Sequence, residues 1–431
     1  MSVLSERGKH INTVVSEDLI LKGSIKTREN SYHHEKNPTG CINLGPAQNK
    51  LMCDVLTKRL SQPDLMVWRD DLFHYYPDAG LLEFRQAIAE FLTDKANAAM
   101  PVDPDKVVVI NGCGTVLESV AFGLCNSGDA FITPTPYYGG AWQDFMRRAN
   151  VNIHPIHLYS NKSENETRSF QLTIDKLEKG LEKANKKGLT IRGLFLMNPH
   201  NPLGEIYSRE MIKDCLQFCH KHSLHIIFDE IYLTGGFVEG VQTTSILQFK
   251  PEDIPDPERT HFIWGFSKDF AMSGFRVGLY YGFGSEVKTV IQNQCRFTRF
   301  SANMHVVLAN MLKDKDWIDN VYMATNQKRL RECYQFVSSK LTLAGIPFLE
   351  TTCGLFLYAD FRKFLKNQSF NSEIDLWNKL LDAGVHLSPS KAFRSDEPGW
   401  FRIVFSVPID QLKIGMERIS QVCKEIVTNK S

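Results

Sequence analysis

Short apolar runs alternate with amphipathic stretches through the middle of the chain, between about residues 80 and 320. The apolar runs predict strands at Val107–Ile110, Ala130–Thr133, Asn152–His157, Gly193–Met197, His225–Phe228, Thr260–Phe266 and Gly278–Gly282. Between them, apolar residues at helical spacing predict helices at Leu82–Leu92, Val116–Leu124 and Arg209–His222. Strands that alternate with helices are typical of an α/β fold in which helices cover a mostly parallel sheet.

The pattern changes towards both ends of the chain. Residues 1–38 are polar and predict an irregular N-terminal arm. After about residue 320, the pattern predicts a long helix at Tyr322–Ala344, apolar segments at Gly354–Asp360 and Phe401–Phe405, and a C-terminal helix at Pro408–Val427. We therefore expect an arm at 1–38, a large domain at 80–319, and a smaller α+β domain that combines 39–79 with 320–431.

Charge and composition narrow the possible partners. The chain has 431 residues, 50 Lys and Arg against 49 Asp and Glu, and a formal charge of +1. This balance gives no electrostatic case for binding nucleic acid or a membrane surface. No run approaches the roughly 20 apolar residues of a membrane span, and Met1–Arg7 lacks the apolar stretch of a secretory signal. We expect a cytoplasmic protein.

The ten cysteines are scattered and form no C-x-x-C pair, which is typical of reduced thiols in a cytosolic protein. Cys215 and Cys219 lie one helical turn apart, with His220 and His222 adjacent. A metal site is one interpretation, but zinc sites use tighter cysteine pairs. We therefore predict that both cysteines lie in the apolar core, and we expect no metal site.

One lysine stands in an unusual setting, the segment Trp264–Gly278, with Lys268 directly after Ser267 and Arg276 eight residues later. Desolvation disfavours an ammonium group, so a lysine among apolar residues is a good nucleophile towards a carbonyl cofactor. An arginine nearby can bind a phosphate or carboxylate. The combination indicates pyridoxal phosphate, although a lysine in a loop is more often a solvated surface charge.

Two further strands end in polar residues that suit the same cofactor. Asp229 closes an apolar strand and could hold the pyridine nitrogen protonated, with Tyr232 placed to donate to the ring oxygen. The competing interpretation makes Asp229 and Glu230 a helix N-cap pair, and the two are equally favoured by the sequence. Asn201 lies in a loop stiffened by two prolines and could bond a ring oxygen, or the loop could be a plain Asn-Pro turn.

A glycine-rich turn follows the strand Val107–Ile110 and precedes a helix. Its Cys113 and Gly114 would place backbone N–H groups at a helix N-terminus, which favours a phosphate. Leu117 stands where a dinucleotide motif would have its third glycine, so a single-phosphate cofactor fits better than a pyrophosphate. The alternative is a glycine turn that serves tight packing alone.

The order of these motifs resembles the fold-type I pyridoxal phosphate enzymes, that is, class I and II aminotransferases. The most similar members are 1-aminocyclopropane-1-carboxylate synthases and their animal synthase-like homologues. The resemblance extends from about residue 40 to about residue 405. The matching segments are 42–45, 82–85, 134–138, 198–204, 229–232, 267–269, 274–278 and 398–402.

The resemblance implies a role for each candidate residue. Lys268 would form the Schiff base with the cofactor and act as general base at Cα. Arg402 would bind the substrate α-carboxylate. The cofactor contacts would be Asp229 at the pyridine nitrogen; Tyr232 and Asn201 at the ring oxygen; Tyr138, with Tyr137 as second choice, stacked on the ring; and Cys113, Gly114, Ser267 and Arg276 at the phosphate. The family also implies a homodimer in which Tyr75 or Tyr76 reaches the partner's phosphate.

Three departures from plant synthases qualify this resemblance. Gln48 stands where they have a glutamate tied to γ-carbon chemistry, so we rank transamination or elimination above cyclisation. Gly265 replaces a phosphate-binding serine, and the loop 75–80 is longer. A true synthase, a catalytically silent scaffold and, distantly, a dehydrogenase remain as alternatives. For a substrate with a second carboxylate, Arg296 and Arg299 are the candidate partners.

Overall fold

A computed structural model describes residues 3–15, 18–164 and 166–429. The described helices are α1 Glu6–Val15, α2 Leu19–Glu29, α3 Cys53–Leu60, α4 Leu82–Lys95, α5 Cys113–Leu124, α6 Gly139–Met146, α7 Ile174–Lys186, α8 Arg209–Lys221, α9 Phe266–Asp269, α10 Glu286–Gln294, α11 Ala302–Lys313, α12 Ala324–Leu343, α13 Phe370–Asp382 and α14 Ile409–Thr428. The described strands are β1 Ile42–Asn43, β2 Val107–Ile110, β3 Ala130–Thr135, β4 Asn152–His157, β5 Ile191–Met197, β6 His225–Asp229, β7 Thr260–Gly265, β8 Gly278–Gly282, β9 Phe348–Leu349, β10 Phe356–Asp360, β11 Val385–His386, β12 Ser388–Pro389 and β13 Trp400–Val404.

The central sheet contains seven strands in the order β2-β8-β7-β6-β5-β3-β4. All pairings are parallel except the two made by β8, which runs antiparallel to β2 and β7. The seven predicted strands are confirmed. Four bounds differ by one or two residues: β3 ends at Thr135, β5 begins at Ile191, β6 ends at Asp229 and β7 ends at Gly265. Strand β7 is shorter than predicted because Phe266 leaves the sheet and begins the short helix α9 that carries Lys268. The α/β prediction with a mostly parallel sheet is also confirmed.

Helices on both faces of this sheet bury the apolar residues that the periodicity identified. Phe91 of α4, for example, packs on Trp264 with ring centroids 5.1 Å apart. Helix α8 begins where the Ser208 side chain accepts a hydrogen bond from the Met211 backbone N–H at 3.2 Å, an N-cap. On the same helix Cys215 and Cys219 are both buried in the core, as predicted.

A second, smaller sheet with the order β12-β13-β10-β9 is antiparallel. Helices α12 and α14 pack beside it, and their Leu330, Val337, Leu412 and Ile419 belong to one apolar cluster with the strands. The short strand β1 pairs with β11 in parallel, so a segment near the N-terminus joins this C-terminal unit. The boundaries of the predicted domains stay a prediction.

The prediction of an irregular N-terminal arm is wrong, because α1 and α2 lie within it. The Asp18 carboxylate caps α2 by accepting a hydrogen bond from the Leu21 backbone N–H at 2.9 Å. His10 Nε2 lies 2.9 Å from the Met146 carbonyl oxygen on α6. The arm therefore packs on the body of the protein. None of the helices formed by the described residues is long and apolar enough to cross a membrane.

Candidate functional site

The predicted motifs meet at one cavity, which we call the central cavity, with a volume of about 320 Å³. It lies at the carboxyl ends of three adjacent strands: Asn201 follows β5, Asp229 ends β6 and Lys268 follows β7. Side chains that leave the carboxyl ends of parallel strands converge at one edge of the sheet, which is where ligands bind in such folds. Arg402 enters from β13 of the smaller sheet, so the cavity lies between the two units.

Lys268 is partly buried in this cavity and is not a solvated surface charge. Its Nζ donates a hydrogen bond to the Ala47 carbonyl oxygen. Burial, together with the positive charge of Arg402, lowers the pKa of Lys268 to about 8. A sizeable fraction of the amine is therefore neutral near physiological pH, as a nucleophile or a base requires.

Asp229 is 2% exposed, and burial raises its pKa to about 7. One carboxylate oxygen accepts a hydrogen bond from the Ile231 backbone N–H at 3.2 Å. Residues 231–234 form a turn, so the helix N-cap interpretation of Asp229 and Glu230 is wrong. The Tyr232 hydroxyl is buried and has no hydrogen-bond partner among the described residues, which is costly unless a ligand satisfies it.

Arg402 is also 2% exposed, and no carboxylate pairs with it in the described part of the chain. Its Nη1 donates to Asn201 Oδ1 at 2.8 Å, its Nη2 donates to the Gly45 carbonyl oxygen at 2.6 Å, and its Nε has no partner among the residues that the structure describes. Burial lowers the pKa of the guanidinium to about 10, so it stays charged at neutral pH. A buried cation without a counter-ion suits an anionic ligand.

Four predicted residues surround the first turn of α5, and we call them the phosphate cradle: Cys113, Gly114, Ser267 and Arg276. The first backbone N–H groups of a helix have no partner within the helix and can bind an anion. Gly112 precedes them with a φ of 104°, and a Cβ there would lie 2.4 Å from Arg276 Nη2. The glycine thus lets the guanidinium lie against the turn.

The surroundings of Gly265 leave no room for a side chain. A Cβ at this position would lie 2.6 Å from the Val277 carbonyl oxygen and 2.8 Å from Cys113 Sγ. The Cys113 thiol donates to the Trp264 carbonyl oxygen at 3.2 Å and fills the space beside the glycine. Glycine at 265 and cysteine at 113 therefore fit each other.

Of the alternatives Tyr137 or Tyr138 and Tyr75 or Tyr76, only Tyr138 lines the central cavity. Tyr138 lines the central cavity, whereas Tyr137 is 3% exposed within the apolar core. Tyr75 is 97% exposed and Tyr76 donates its hydroxyl proton to the Phe300 carbonyl oxygen, and neither lines the cavity of its own chain.

Gln48 lies in the cavity wall, where its contact with a substrate stays a prediction. Arg296 and Arg299, the candidates for a second carboxylate, are not in that wall. Arg299 is instead paired with Asp78 at 3.2 Å.

Ile20 and Asp144 are among the residues of the cavity wall that sequence reasoning missed. Ile20 belongs to α2, and the apolar run after Asp18 was the available indication of that helix. Asp144 lies on α6 and faces the start of α5, since a Cβ on Gly114 would lie 3.0 Å from Asp144 Oδ1. Burial raises the pKa of Asp144 to about 7. No motif marks Asp144, because its place depends on how α6 packs against α5.

The site fits pyridoxal phosphate, the cofactor that the sequence predicts. The phosphate cradle offers backbone N–H groups, a hydroxyl and a guanidinium to a phosphate. The unpartnered Tyr232 hydroxyl and the Asp229 carboxyl could meet a ring oxygen and a ring nitrogen. The amine of Lys268 lies in the same cavity for the aldehyde carbon.

Comparisons with known proteins agree with this geometry. Residues 39–419 match the family model for aminotransferase class I and II. The human 1-aminocyclopropane-1-carboxylate synthase-like protein 1 is 40% identical over 421 residues, which cover 98% of this chain and 83% of that protein. The human probable inactive 1-aminocyclopropane-1-carboxylate synthase-like protein 2 is 39% identical over 92% of this chain and 70% of that protein.

A solved structure supports the fold independently. A double mutant of the aspartate aminotransferase of Thermus thermophilus superposes with a TM-score of 0.75. The aligned region covers 98% of this chain and all of that one, at 19% sequence identity. The architecture is therefore the type I fold of pyridoxal phosphate-dependent transferases, as predicted.

Proposed function

Because the chain belongs to the class I and II aminotransferase family, we propose that it is a pyridoxal phosphate enzyme acting at the Cα of an amino acid. The proposed outcome is transamination, or elimination with deamination. One observation carries the proposal: Lys268, Asp229 and Arg402 face a single cavity, and burial disfavours the charged form of each. Perturbed groups gathered in one cleft are typical of active sites.

The chain's own residues would hold the cofactor from several sides. The phosphate cradle would bind the phosphate, Tyr138 would stack on the ring, and Asn201 and Tyr232 would donate to the ring oxygen. Asp229 would face the ring nitrogen, where a cation would favour its ionised form. When bound, the cofactor supplies an electron sink for a negative charge at Cα.

Substrate binding and proton transfer then fall to two residues. Arg402 offers two N–H donors to the α-carboxylate, in exchange for its present bonds to Asn201 and Gly45. Lys268 takes the Cα proton at Nζ and can return it to another carbon. Its pKa of about 8 lets the amine be neutral when it accepts the proton and charged when it gives the proton up.

The residue at position 48 bears on the reaction type. Gln48 lines the cavity and carries no charge, whereas plant synthases have a glutamate in this segment. The neutral side chain is the reason for proposing transamination or elimination instead of cyclisation of S-adenosylmethionine. Efficient formation of the cyclopropane amino acid by the unmodified protein would contradict this ranking.

A catalytically silent protein is the second candidate, favoured by the similarity to the probable inactive synthase-like protein 2. Against it stands the complete set of cavity residues in this chain, from Lys268 to Arg402. A scaffold function would tolerate Lys268→Ala, whereas the proposed enzyme would not.

We also propose a homodimer in which Tyr75 contributes to the partner's phosphate cradle. Tyr75 is 97% exposed and Phe73 is 71% exposed, and Phe73 stacks on the exposed Trp68 with ring centroids 5.8 Å apart. Exposed aromatic side chains of this kind are typical of interfaces. Tyr75→Phe is expected to weaken cofactor binding, and Tyr76→Phe, whose hydroxyl is engaged within the chain, is the matched control.

We further propose a cytoplasmic location, because all ten cysteines are free thiols.

The test of the proposed function is the visible absorption of the purified protein with pyridoxal phosphate, titrated with a panel of amino acids. We expect a band that is lost in Lys268→Ala and that shifts with particular amino acids, followed by turnover to an oxo acid or an elimination product. A protein that takes up no cofactor, or a band that survives Lys268→Ala, would refute the proposal and favour the scaffold.

A further inference from the structure

Asp144 is an acid in the wall of the central cavity to which the proposed function gives no role. It lies on α6 and is half-buried. Its carboxyl makes no hydrogen bond and no ion pair with another residue that the structure describes. An ionised acid beside a binding site for an anion opposes binding, whereas a protonated acid offers a hydrogen-bond donor.

The position of Gly114 shows how close this carboxyl lies to the phosphate cradle. A Cβ on Gly114 would lie 3.0 Å from Asp144 Oδ1 and 3.1 Å from Asp144 Oδ2, so the carboxyl lies where a side chain of residue 114 would be. Standard bond lengths put that Cβ about 2.5 Å from the Gly114 nitrogen, so Asp144 Oδ1 lies within about 5.5 Å of this nitrogen. A phosphate that accepts a hydrogen bond from the Gly114 N–H at about 3 Å can therefore reach the carboxyl with another oxygen.

No charged group around Asp144 neutralises its carboxyl. The two cations that act on it favour its ionised form and the two acids its protonated form, but none of the four is bonded to it. Burial has the largest effect and raises the pKa of Asp144 to about 7. The four groups are Arg147 on the same helix, Arg276 in the cradle, Glu118 on α5 and Asp229 at the end of β6.

The remaining titratable groups near α6 are neutral or engaged elsewhere. Burial raises the pKa values of the Cys113 thiol and the Tyr138 hydroxyl, so both stay protonated beside Asp144. The groups engaged elsewhere are His10, bonded to the Met146 carbonyl oxygen; Asp18, bonded to the Gln143 side chain; and His154 and His157 of β4, which interact with Lys183 of α7.

We propose that Asp144 is a further cofactor-binding residue, whose protonated carboxyl donates a hydrogen bond to the phosphate in the cradle. This inference rests on the proposed function. The carboxyl and the phosphate hold one proton between them, because neighbouring negative charges disfavour the ionisation of both groups. Where Asp144 is ionised in the free protein, this proton is taken up from the solvent on binding. The phosphate therefore binds more weakly as the pH rises above about 7.

The test separates the phosphate from the rest of the cofactor. The ligands are 4-deoxypyridoxine 5′-phosphate and 4-deoxypyridoxine, which share a ring without an aldehyde and differ in the phosphate. Neither reacts with Lys268, and the titration of Asp229 and Lys268 affects both alike, so it cancels in the ratio of their dissociation constants. Both constants are measured by calorimetry at pH 8 and pH 9 on the whole chain after its cofactor has been removed.

The unmodified protein is compared with Asp144→Asn and Asp214→Asn. Asparagine keeps the size of the side chain and an N–H donor but does not titrate. Asp214 is exposed on α8 and lies outside the cavity, so Asp214→Asn is the matched control. A second measurement needs no variant: calorimetry in buffers of different ionisation enthalpy counts the protons that each ligand takes up.

In the unmodified protein and in Asp214→Asn, the affinity advantage of the phosphate-bearing ligand should fall about ninefold from pH 8 to pH 9. At pH 9 this ligand should take up about one proton more than the other. In Asp144→Asn the advantage should stay nearly constant over this range.

Two outcomes would overturn the inference alone: an advantage that varies with pH equally in the unmodified protein and Asp144→Asn, or equal proton uptake by the two ligands. If neither ligand binds, the proposed function fails and the inference fails with it. Binding of both ligands therefore distinguishes the two failures.

Discussion

Replacing Arg402 by lysine tests the substrate clamp most directly. The guanidinium is 2% exposed and donates from two nitrogens, to Asn201 Oδ1 at 2.8 Å and to the Gly45 carbonyl oxygen at 2.6 Å. A lysine keeps the charge but has a single nitrogen and cannot form the fork that matches a carboxylate. The variant therefore removes one hydrogen bond while leaving the electrostatic attraction in place.

The expected loss of affinity in Arg402→Lys follows from the charges of the guanidinium and the substrate carboxylate. A hydrogen bond between charged groups contributes about 1.5–3 kcal/mol, so its loss corresponds to a roughly 10- to 150-fold decrease in affinity. We expect kcat/KM for the amino acid substrate of Arg402→Lys to fall by that factor. If the clamp holds substrate and transition state equally, the change appears in KM and leaves kcat nearly unaltered.

Steady-state kinetics and thermal unfolding together give the answer. Arg418 is a suitable control position, because its guanidinium likewise donates two hydrogen bonds within the chain, from Nη1 to the Gly40 and Gly384 carbonyl oxygens at 2.6 Å, and it lies outside the central cavity. Arg418→Lys should change the melting temperature at most and leave kcat/KM intact. Equal effects of the two substitutions on kcat/KM, or an unchanged kcat/KM in Arg402→Lys, would show that Arg402 does not bind the substrate.

Further predictions concern the cofactor site. Gly112→Ala should weaken pyridoxal phosphate binding, measured by equilibrium titration, far more than Gly188→Ala. Both glycines have a positive φ, but a Cβ at position 112 would lie 2.4 Å from the Arg276 side chain. A Cβ at position 188 would have no atom within 4 Å. Reductive trapping of the cofactor aldehyde on Lys268 should speed up as pH rises through about 8, because the neutral amine is the nucleophile; a midpoint above pH 10 would contradict the role of burial. Burial raises the pKa of Asp229 from 3.8 to about 7, so the folded protein loses up to about 4 kcal/mol of stability as the pH rises from the first value to the second. Asp229→Asn should therefore stabilise the cofactor-free protein at pH 8 but not at pH 4. Asp214→Asn, at an exposed position, should have no such effect.

The sequence predicted the elements and motifs that depend on local pattern. All seven strands of the central sheet follow from short apolar runs, and the residues at their carboxyl ends follow from the rule that ligands bind there. The roles of Tyr138 and Tyr137 could be ranked but not separated, because adjacent residues differ only in the direction that the backbone gives them. The structure places Tyr138 in the cavity wall and Tyr137 in the core.

Features that depend on tertiary packing could not be predicted from the sequence. Helix α2 was missed because its apolar residues are few, and its buried Ser24 and Thr27 look polar in a hydropathy pattern. Asp144 and Ile20 reach the central cavity only because α6 and α2 pack against its rim. The fit between Gly265 and Cys113 likewise joins residues that are far apart in the chain, so no local rule could relate them.

The cavity gathers charges that the fold alone does not balance. Arg402 is buried without a carboxylate partner in the described part of the chain, and burial works against the charged forms of both Asp229 and Lys268. Each such group costs folding free energy, because desolvation is not repaid by a partner. A ligand with an anionic carboxylate, a cationic ring nitrogen and an aldehyde would remove all three costs at once. The residues whose charged forms burial disfavours are therefore the ones that would contact the proposed ligands, an amino acid and pyridoxal phosphate.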